Sequence, residues 1–227
     1  MPGVAEVMDI DETTEGKLKL YARLLGEANA FARVTGPSDE ETIYREHVTD
    51  ALAALPLLEK FSGAGFVDVG TGGGLPGIVW GICRPDLRGV LVDSVGKKIK
   101  IARDIAAKLG LKNIDTIHAR SEDIARARRE KFEIAVARAV SDAKILAEYL
   151  SPLVKVGGII VAFKGPGVHK ELDVPRGSWR VLGLAAPRIE PYGAAGKNLN
   201  LVIWDKVSPC PAKFPRLPGD AKKNPWM

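Results

Sequence analysis

The run FVDVGTGGGLPG, residues 66–77, constrains this chain more than any other stretch. A short apolar strand pattern enters a glycine turn. A helical pattern, LPGIVWGICRP, follows with Pro76 near its first turn. Proline costs nothing there, because the first N–H groups of a helix lack partners within it. Strand, glycine turn and helix in succession form the opening unit of a nucleotide-type α/β sheet. Gly70, Gly72 and Gly74 let the backbone turn sharply and approach a ligand closely. Nicotinamide dinucleotides, flavins, nucleoside phosphates and S-adenosylmethionine all use such turns, and the glycines alone do not choose between them. Gly72, Gly74 and Gly77 spell GxGxxG, which keeps a nicotinamide dinucleotide in play. A phosphate P-loop does not fit, since no GK[ST] follows.

The rest of the chain predicts how that unit is extended. Strands are expected at AGFVDVG, GVLVDS, NIDTIHA, FEIAVARA and GGIIVAFKG, the last entered by a turn at Gly157-Gly158. Helical patterns lie between them: KKIKIARDIAAKLG with Gly110 as C-cap, SEDIARARRE with an N-cap serine, and DAKILAEYLSPLV. This alternation predicts a mostly parallel sheet covered by helices on both faces. Two strand-like segments then follow, SWRVLGLAAPRIE and NLNLVIWDKV, joined by a glycine-rich loop PYGAAGK. A late antiparallel hairpin closing the sheet separates the plan of S-adenosylmethionine methyltransferases from that of ordinary dinucleotide dehydrogenases. Before the sheet, helices are expected over 14–34 and 39–60, the second opened by a Ser38/Glu41 capping box. The expected division is an N-terminal helical extension at 1–62, a catalytic domain at 63–207, and an extended, basic, proline-rich tail at 208–227.

Charge is distributed unevenly. Of a formal net +5, residues 1–60 hold twelve acids against six bases, leaving +11 on the remainder. A basic face suits a polyanionic partner, and a solvated lysine-rich surface accounts for the same count equally well. Two distant cysteines, Cys83 and Cys210, form neither a disulfide framework nor a metal-binding pattern, so no metal and a reducing, cytoplasmic setting are expected. The acidic opening MPGVAEVMDIDETTEG lacks the apolar core of a secretory signal, and no run reaches the ~18 apolar residues of a membrane span.

Three features add chemistry to the glycine turn. Asp93 ends the second strand, where an acid accepts hydrogen bonds from both hydroxyls of an adenosine ribose. Ser121, Glu122 and Asp123 follow the third strand, where an adenine ring would lie. The two acids there also complement a helix dipole. Asp68 precedes the glycines. An acid beside a pyrophosphate would be repelled, whereas an acid beside the cationic amino-acid end of S-adenosylmethionine is attracted. A nicotinamide-dependent reductase and a non-enzymatic RNA-binding or assembly factor of the same fold are the alternatives.

DVGTGGGLPGI, LVDSVGKK, ARSED, VARAV and AFKG, in this order, resemble the small-subunit (16S) ribosomal RNA guanine-N7 methyltransferases, also called RsmG or glucose-inhibited division protein B. The resemblance runs from EHVTDAL near residue 46 to the tail KFPRLPGDAKKNP. It implies a class I S-adenosylmethionine-dependent methyltransferase fold, that is, a Rossmann-like sheet with a late antiparallel hairpin and an N-terminal helical extension. It implies methyl transfer from S-adenosylmethionine to N7 of a guanine in small-subunit rRNA or the small ribosomal subunit, by a monomer without membrane contact. Family cofactor positions carry over onto Gly70, Leu75, Ser121, Glu122 and Arg138, with Asp93 as the matching acid. With the residues of the turn, the expected cofactor set is Asp68, Gly70, Thr71, Gly72, Gly74, Leu75, Asp93, Ser121, Glu122 and Arg138. Expected on the RNA and catalytic side are Arg138, Arg120, His47 and Lys164, with Lys97 and Lys98 behind them, and the basic tail on RNA phosphates. The chain departs from the family pattern at Glu46, before His47, at VARAVS and at GIVWG.

Overall fold

The computed structural model describes residues 10–138, 141–223 and 226. Most of the acidic opening stretch, and Ala139 and Val140 within VARAVS, lie outside the described residues. Five strands run parallel: β1 (Gly65–Val69), β2 (Arg88–Asp93), β3 (Ile114–His118), β4 (Phe132–Arg138) and β5 (Val154–Lys164). An antiparallel hairpin, β6 (Arg188–Ala194) and β7 (Lys197–Asp205), completes the sheet in the order β3-β2-β1-β4-β5-β7-β6. The expected mostly parallel sheet with a late hairpin is thus present. The inner strands are apolar on both faces because helices cover both. Phe66, Ile134, Val136, Ile159 and Ile203 point into one core, and Val67, Ala135, Ala137, Ile160 and Trp204 into the other.

The first core is shared with the helices that precede the sheet. Helix α1 (Glu12–Ala28) is opened by Asp11, whose side chain accepts from the Thr14 N–H, and it buries Leu18, Tyr21, Ala22 and Leu25. It ends six residues earlier than the sequence predicts. Asn29 stops it: its side-chain oxygen accepts from the N–H groups of Val34 and Thr35, and its amide donates to Pro37 O and Thr35 Oγ1. The expected second helix is broken into α2 (Glu40–Ile43), a π-turn over Tyr44–Val48, α3 (Thr49–Leu52) and α4 (Leu55–Leu58). Its N-cap is Asp39, accepting from Thr42 N, and not Ser38. The break after α3 has a visible partner, since the buried Trp80 indole donates to Ala51 O at 3.0 Å. Trp80 lies on α5 (Gly77–Cys83), so this bond ties the early helices to the glycine-turn unit.

Helices α6 (Gly96–Lys108), α7 (Ser121–Ala127) and α8 (Ala143–Leu150) complete the crossovers. Arg120 occupies the N-cap of α7, and Ser121 is its first helical residue rather than the cap. Gly157 and Gly158 do not form a turn before β5. They lie inside it, as a bulge with Gly157 at φ +88° and a register skip opposite β4. The segment SWRVL is a 3₁₀ turn that buries Trp179 and Leu182, so β6 begins only at Arg188. Most of the expected loop PYGAAGK is strand. The reversal takes two residues, Ala195 and Gly196 at φ +50° and +73°, as in the tight turns that suit sheet twist.

The tail is not a free arm. After β7 the chain buries Cys210 and Phe214 against the α8 face of the sheet and forms a short helix, α10 (Asp220–Lys223). The remaining short helix, α9 (Val168–Glu171), follows β5.

Candidate active site

In a parallel sheet, ligands bind beyond the strand C-termini where the strand order reverses. Here that point lies between β1 and β4, and the glycine loop follows β1. Gly70 N and Thr71 N both donate to Val92 O, at 2.8 and 3.1 Å, which folds the loop over the end of β2. Gly70 and Gly72 have φ of +76° and +57°, a conformation that side chains disfavour. Gly77 serves a different need. A Cβ there would lie 2.2 Å from Leu91 Cδ2 and 2.9 Å from Asp68 Oδ2, so the glycine lets α5 lie directly on β1 and β2. The third glycine of the literal GxGxxG is therefore a packing solution and does not choose the ligand.

The two expected acids are both built into the loop. Asp68 is fully buried; its Oδ2 accepts from Thr71 Oγ1 at 2.7 Å and Gly77 N at 2.9 Å. Its Oδ1 is buried and has no partner among the described residues. Burial raises this carboxyl to about 7, against the two hydrogen bonds and the Arg138 charge, which lower it. An unsatisfied buried carboxylate oxygen beside a glycine loop fits an approaching cation. Asp93 accepts from Gly72 N at 2.9 Å and Val95 N at 2.8 Å, one bond to each oxygen. Each oxygen of an ionised carboxylate keeps further acceptor capacity, which suits ribose hydroxyls.

Two clefts open along this edge. The first, of about 240 Å³, is lined by Gly70–Gly73 and Leu75, with His47, Lys98 and Arg138 facing them. Arg138, at the end of β4, is held by the early helices. Its Nη1 lies 3.0 Å from Asp50 Oδ2, and its Nη2 donates to His47 Nδ1 at 2.7 Å. Nη1 also donates to His47 O at 3.3 Å. The Tyr192 hydroxyl, from β6, donates to the other oxygen of Asp50. A π-turn carries His47, an irregularity frequent at functional sites. Burial, aided by the Arg138 charge, lowers the imidazole to about 4. It is neutral at physiological pH, with Nδ1 accepting and the proton on the buried Nε2. That atom has no partner among the described residues. Burial raises Asp50, and it also raises the Tyr192 phenol strongly, with the Asp50 charge adding to it.

The second cleft, of about 420 Å³, is lined by Ser94, Arg120, Ser121, Glu122 and Tyr149. Glu122 is buried and accepts from Ser121 Oγ at 2.9 Å. Burial pushes the Tyr149 phenol up to about 12, helped by the charges of Glu122 and Glu148. Arg120 is exposed and makes no ion pair among the described residues.

The expected set is thus divided. His47, Gly70, Thr71, Gly72, Leu75 and Arg138 line the first cleft, with Asp68 and Asp93 behind it. Arg120, Ser121 and Glu122 line the second. Gly74 shapes the loop, its position filled by the Ile78 side chain. Lys164 lines neither cleft. Its ammonium pairs with Glu171 at 2.7 Å and donates to Ser141 O. Lys97 is exposed, whereas Lys98 reaches the first cleft. Sequence reasoning missed Asp50, Tyr192 and Tyr149. Asp50 stands three residues after His47 in EHVTDAL, one helical turn on, which was a usable signal. Nothing local marks Tyr192, which meets Asp50 across 142 residues of chain.

No helix among the described residues is long and apolar enough to cross a membrane. Residues 14–200 match the family model described as rRNA small subunit methyltransferase G. The ribosomal RNA small subunit methyltransferase G of Clostridium perfringens is 38% identical over 222 residues, covering 96% of this chain and 93% of the relative. That of Moorella thermoacetica is 37% identical over 212 residues, covering 92% and 88%. Among solved structures, an S-adenosylmethionine-dependent methyltransferase from Aquifex aeolicus superposes with a TM-score of 0.54 at 18% identity, covering 81% of this chain and 98% of that one. A variant of MtNAS in complex with S-adenosylmethionine gives 0.56 at 19% identity, covering 90% and 83%. These two likenesses bear on the fold, which is that of class I methyltransferases. By the family match and the near full-length relatives, this chain belongs to the rRNA small subunit methyltransferase G family of S-adenosylmethionine-dependent rRNA methyltransferases.

Proposed function

We propose that this protein methylates N7 of a guanine in small-subunit rRNA, with the first cleft holding the reacting atoms. The observation that carries this reading is the meeting of His47 and Arg138, from the early helices and β4, with the glycine loop in one cleft. S-adenosylmethionine supplies an electrophilic methyl group. Asp68 attracts its cationic amino-acid end, Asp93 accepts from its ribose, and Ser121 and Glu122 border its adenine.

Guanine N7 presents an in-plane lone pair and has no proton to lose, so the reaction needs no general base. Orientation is what the protein must provide. The charge state of the Asp50–Arg138–His47 cluster fits this chemistry. Methylation leaves a positive charge on the purine, which unpaired cations nearby would oppose. Asp50 neutralises Arg138 at 3.0 Å, and His47 is uncharged. Arg138 can therefore donate to guanine O6 while the cluster adds little net positive charge. Arg120 and Lys97, both exposed, and Lys98 at the cleft would hold RNA phosphates. The target base has to leave its stack to reach the cleft.

The test is incubation of the purified protein with tritiated S-adenosylmethionine and either small subunits or free small-subunit rRNA. Label in RNA supports the reading. RNA binding without label, and without heat of S-adenosylmethionine binding, would leave an assembly factor that kept the fold.

A further inference from the structure

Resting on that reading of the cofactor cleft, we infer that the C-terminal segment 214–219 is part of the adenosine site and not an RNA-binding arm. Pro218 and Gly219 line the second cleft, opposite Ser121, Glu122 and Tyr149. They are placed there by a set of contacts too specific for a solubilising tail. Arg216 grips Glu148 with two parallel bonds, Nε to Oε1 at 3.0 Å and Nη2 to Oε2 at 2.6 Å, while its backbone N–H donates to the same carboxylate at 3.1 Å. Glu148 is fully buried and immediately precedes Tyr149 on α8. A bidentate arginine on a buried carboxylate fixes direction as well as distance.

The preceding residues are fastened from α7 and the turn after it. Arg129 donates to Phe214 O at 2.7 Å and Pro211 O at 3.0 Å, and Arg126 donates to Arg216 O at 2.9 Å. Beyond the cleft, Ala221 is buried, and Trp226 donates to Lys144 O at 2.9 Å and packs on Trp179. Pro218 and Gly219 are therefore anchored on both sides. A proline ring and bare glycine backbone offer an adenine ring an apolar face. The edge of that ring would meet Ser121, Glu122 and Tyr149. Arg216 is spent on Glu148, which removes one of the tail's bases from RNA phosphates, and Arg126 and Arg129 hold the segment's carbonyls in place.

The test is photolabelling of the full-length wild-type protein with 2-azido- and 8-azido-S-adenosylmethionine, followed by tryptic mapping. Label protected by excess S-adenosylhomocysteine is expected on the peptide from Leu217 to Lys222, which trypsin releases after Arg216. Protected label confined to other peptides with both probes would overturn the inference while leaving the cofactor cleft intact. No protected label, together with no binding heat for S-adenosylmethionine, would overturn the cleft assignment and this inference with it. As a second readout, Arg216→Met should raise the Kd for S-adenosylhomocysteine about ten-fold with the KM for RNA unchanged, since the segment acts on one ligand only. A larger rise in RNA KM than in cofactor Kd would return the segment to the RNA side.

Discussion

Asp68 gives the sharpest prediction, because its burial makes cofactor binding depend on pH in a calculable way. Its folded-state value, about 7, is raised above the ordinary carboxyl value of 3.8, chiefly by burial. The nearby Asp93 charge adds to this, whereas Thr71, Gly77 and Arg138 oppose it. The sign follows from linkage. The folded protein holds a proton that the unfolded chain releases near pH 4, so stability falls as pH rises from about 4 to about 7. The full penalty, present above about pH 7, is at most roughly 4 kcal/mol. An approaching ammonium group binds the ionised form. If only that form binds, the apparent Kd for S-adenosylmethionine should be about ten-fold weaker at about pH 6 than at about pH 8. Asp68→Asn keeps an acceptor for Thr71 and Gly77 but cannot ionise. Calorimetric titration of both proteins across this range is the assay, and the ligand's own titration cancels in the ratio of the two. The wild-type ratio should change about ten-fold and the variant should lack that component. Parallel pH profiles for the two proteins would refute the argument, and would place the cationic end of the cofactor away from Asp68.

Three further perturbations follow from the packing. Asp50→Ala leaves Arg138 without its counter-charge and should cost about 3–5 kcal/mol in urea unfolding, the usual penalty for breaking a largely buried pair, with methyl transfer falling as well. Wild-type stability in that variant would show that the Arg138 contact contributes nothing. Gly77→Ala places a methyl 2.2 Å from Leu91 Cδ2 and should lower stability by roughly 1–3 kcal/mol, seen as a reduced Tm. An unchanged Tm would show that α5 can lift off the sheet freely. Lys164→Met removes the cation from a partly exposed Glu171, which keeps its bond from Ala143 N, and should cost about 1 kcal/mol, while an unaltered urea midpoint would mean that this pair is not structural.

The fold was legible where one local pattern decided it. Strand hydrophobicity with the glycine turn specified the parallel sheet, and two late strand patterns specified the hairpin. Element ends were less legible, because distant partners set them. Asn29 stops α1 through contacts reaching to Ser38, and the Trp80 indole accompanies the break after α3. SWRVL reads as a strand because its apolar residues are buried, yet they are buried from a 3₁₀ turn. The candidate site divides in the same way. The glycine loop, Asp68, Asp93, Ser121 and Glu122 lie close to the motifs that announce them. The Asp50–Arg138–His47 cluster and the C-terminal wall of the second cleft depend on contacts between segments 68 to 91 residues apart, which no local pattern reports. The tail's composition did not report its packing, since Arg216 is engaged on the buried Glu148.

The central claim is that the cleft between the glycine loop and the His47–Arg138 cluster directs a methyl group to guanine N7. Borohydride and aniline strand scission of small-subunit rRNA, after reaction with S-adenosylmethionine, tests it most directly. The account predicts one new scission site with the wild-type protein, and its loss with Arg138→Ala under conditions where that variant still binds S-adenosylmethionine. Methyl incorporation without scission, or full scission with the Arg138 variant, would contradict it.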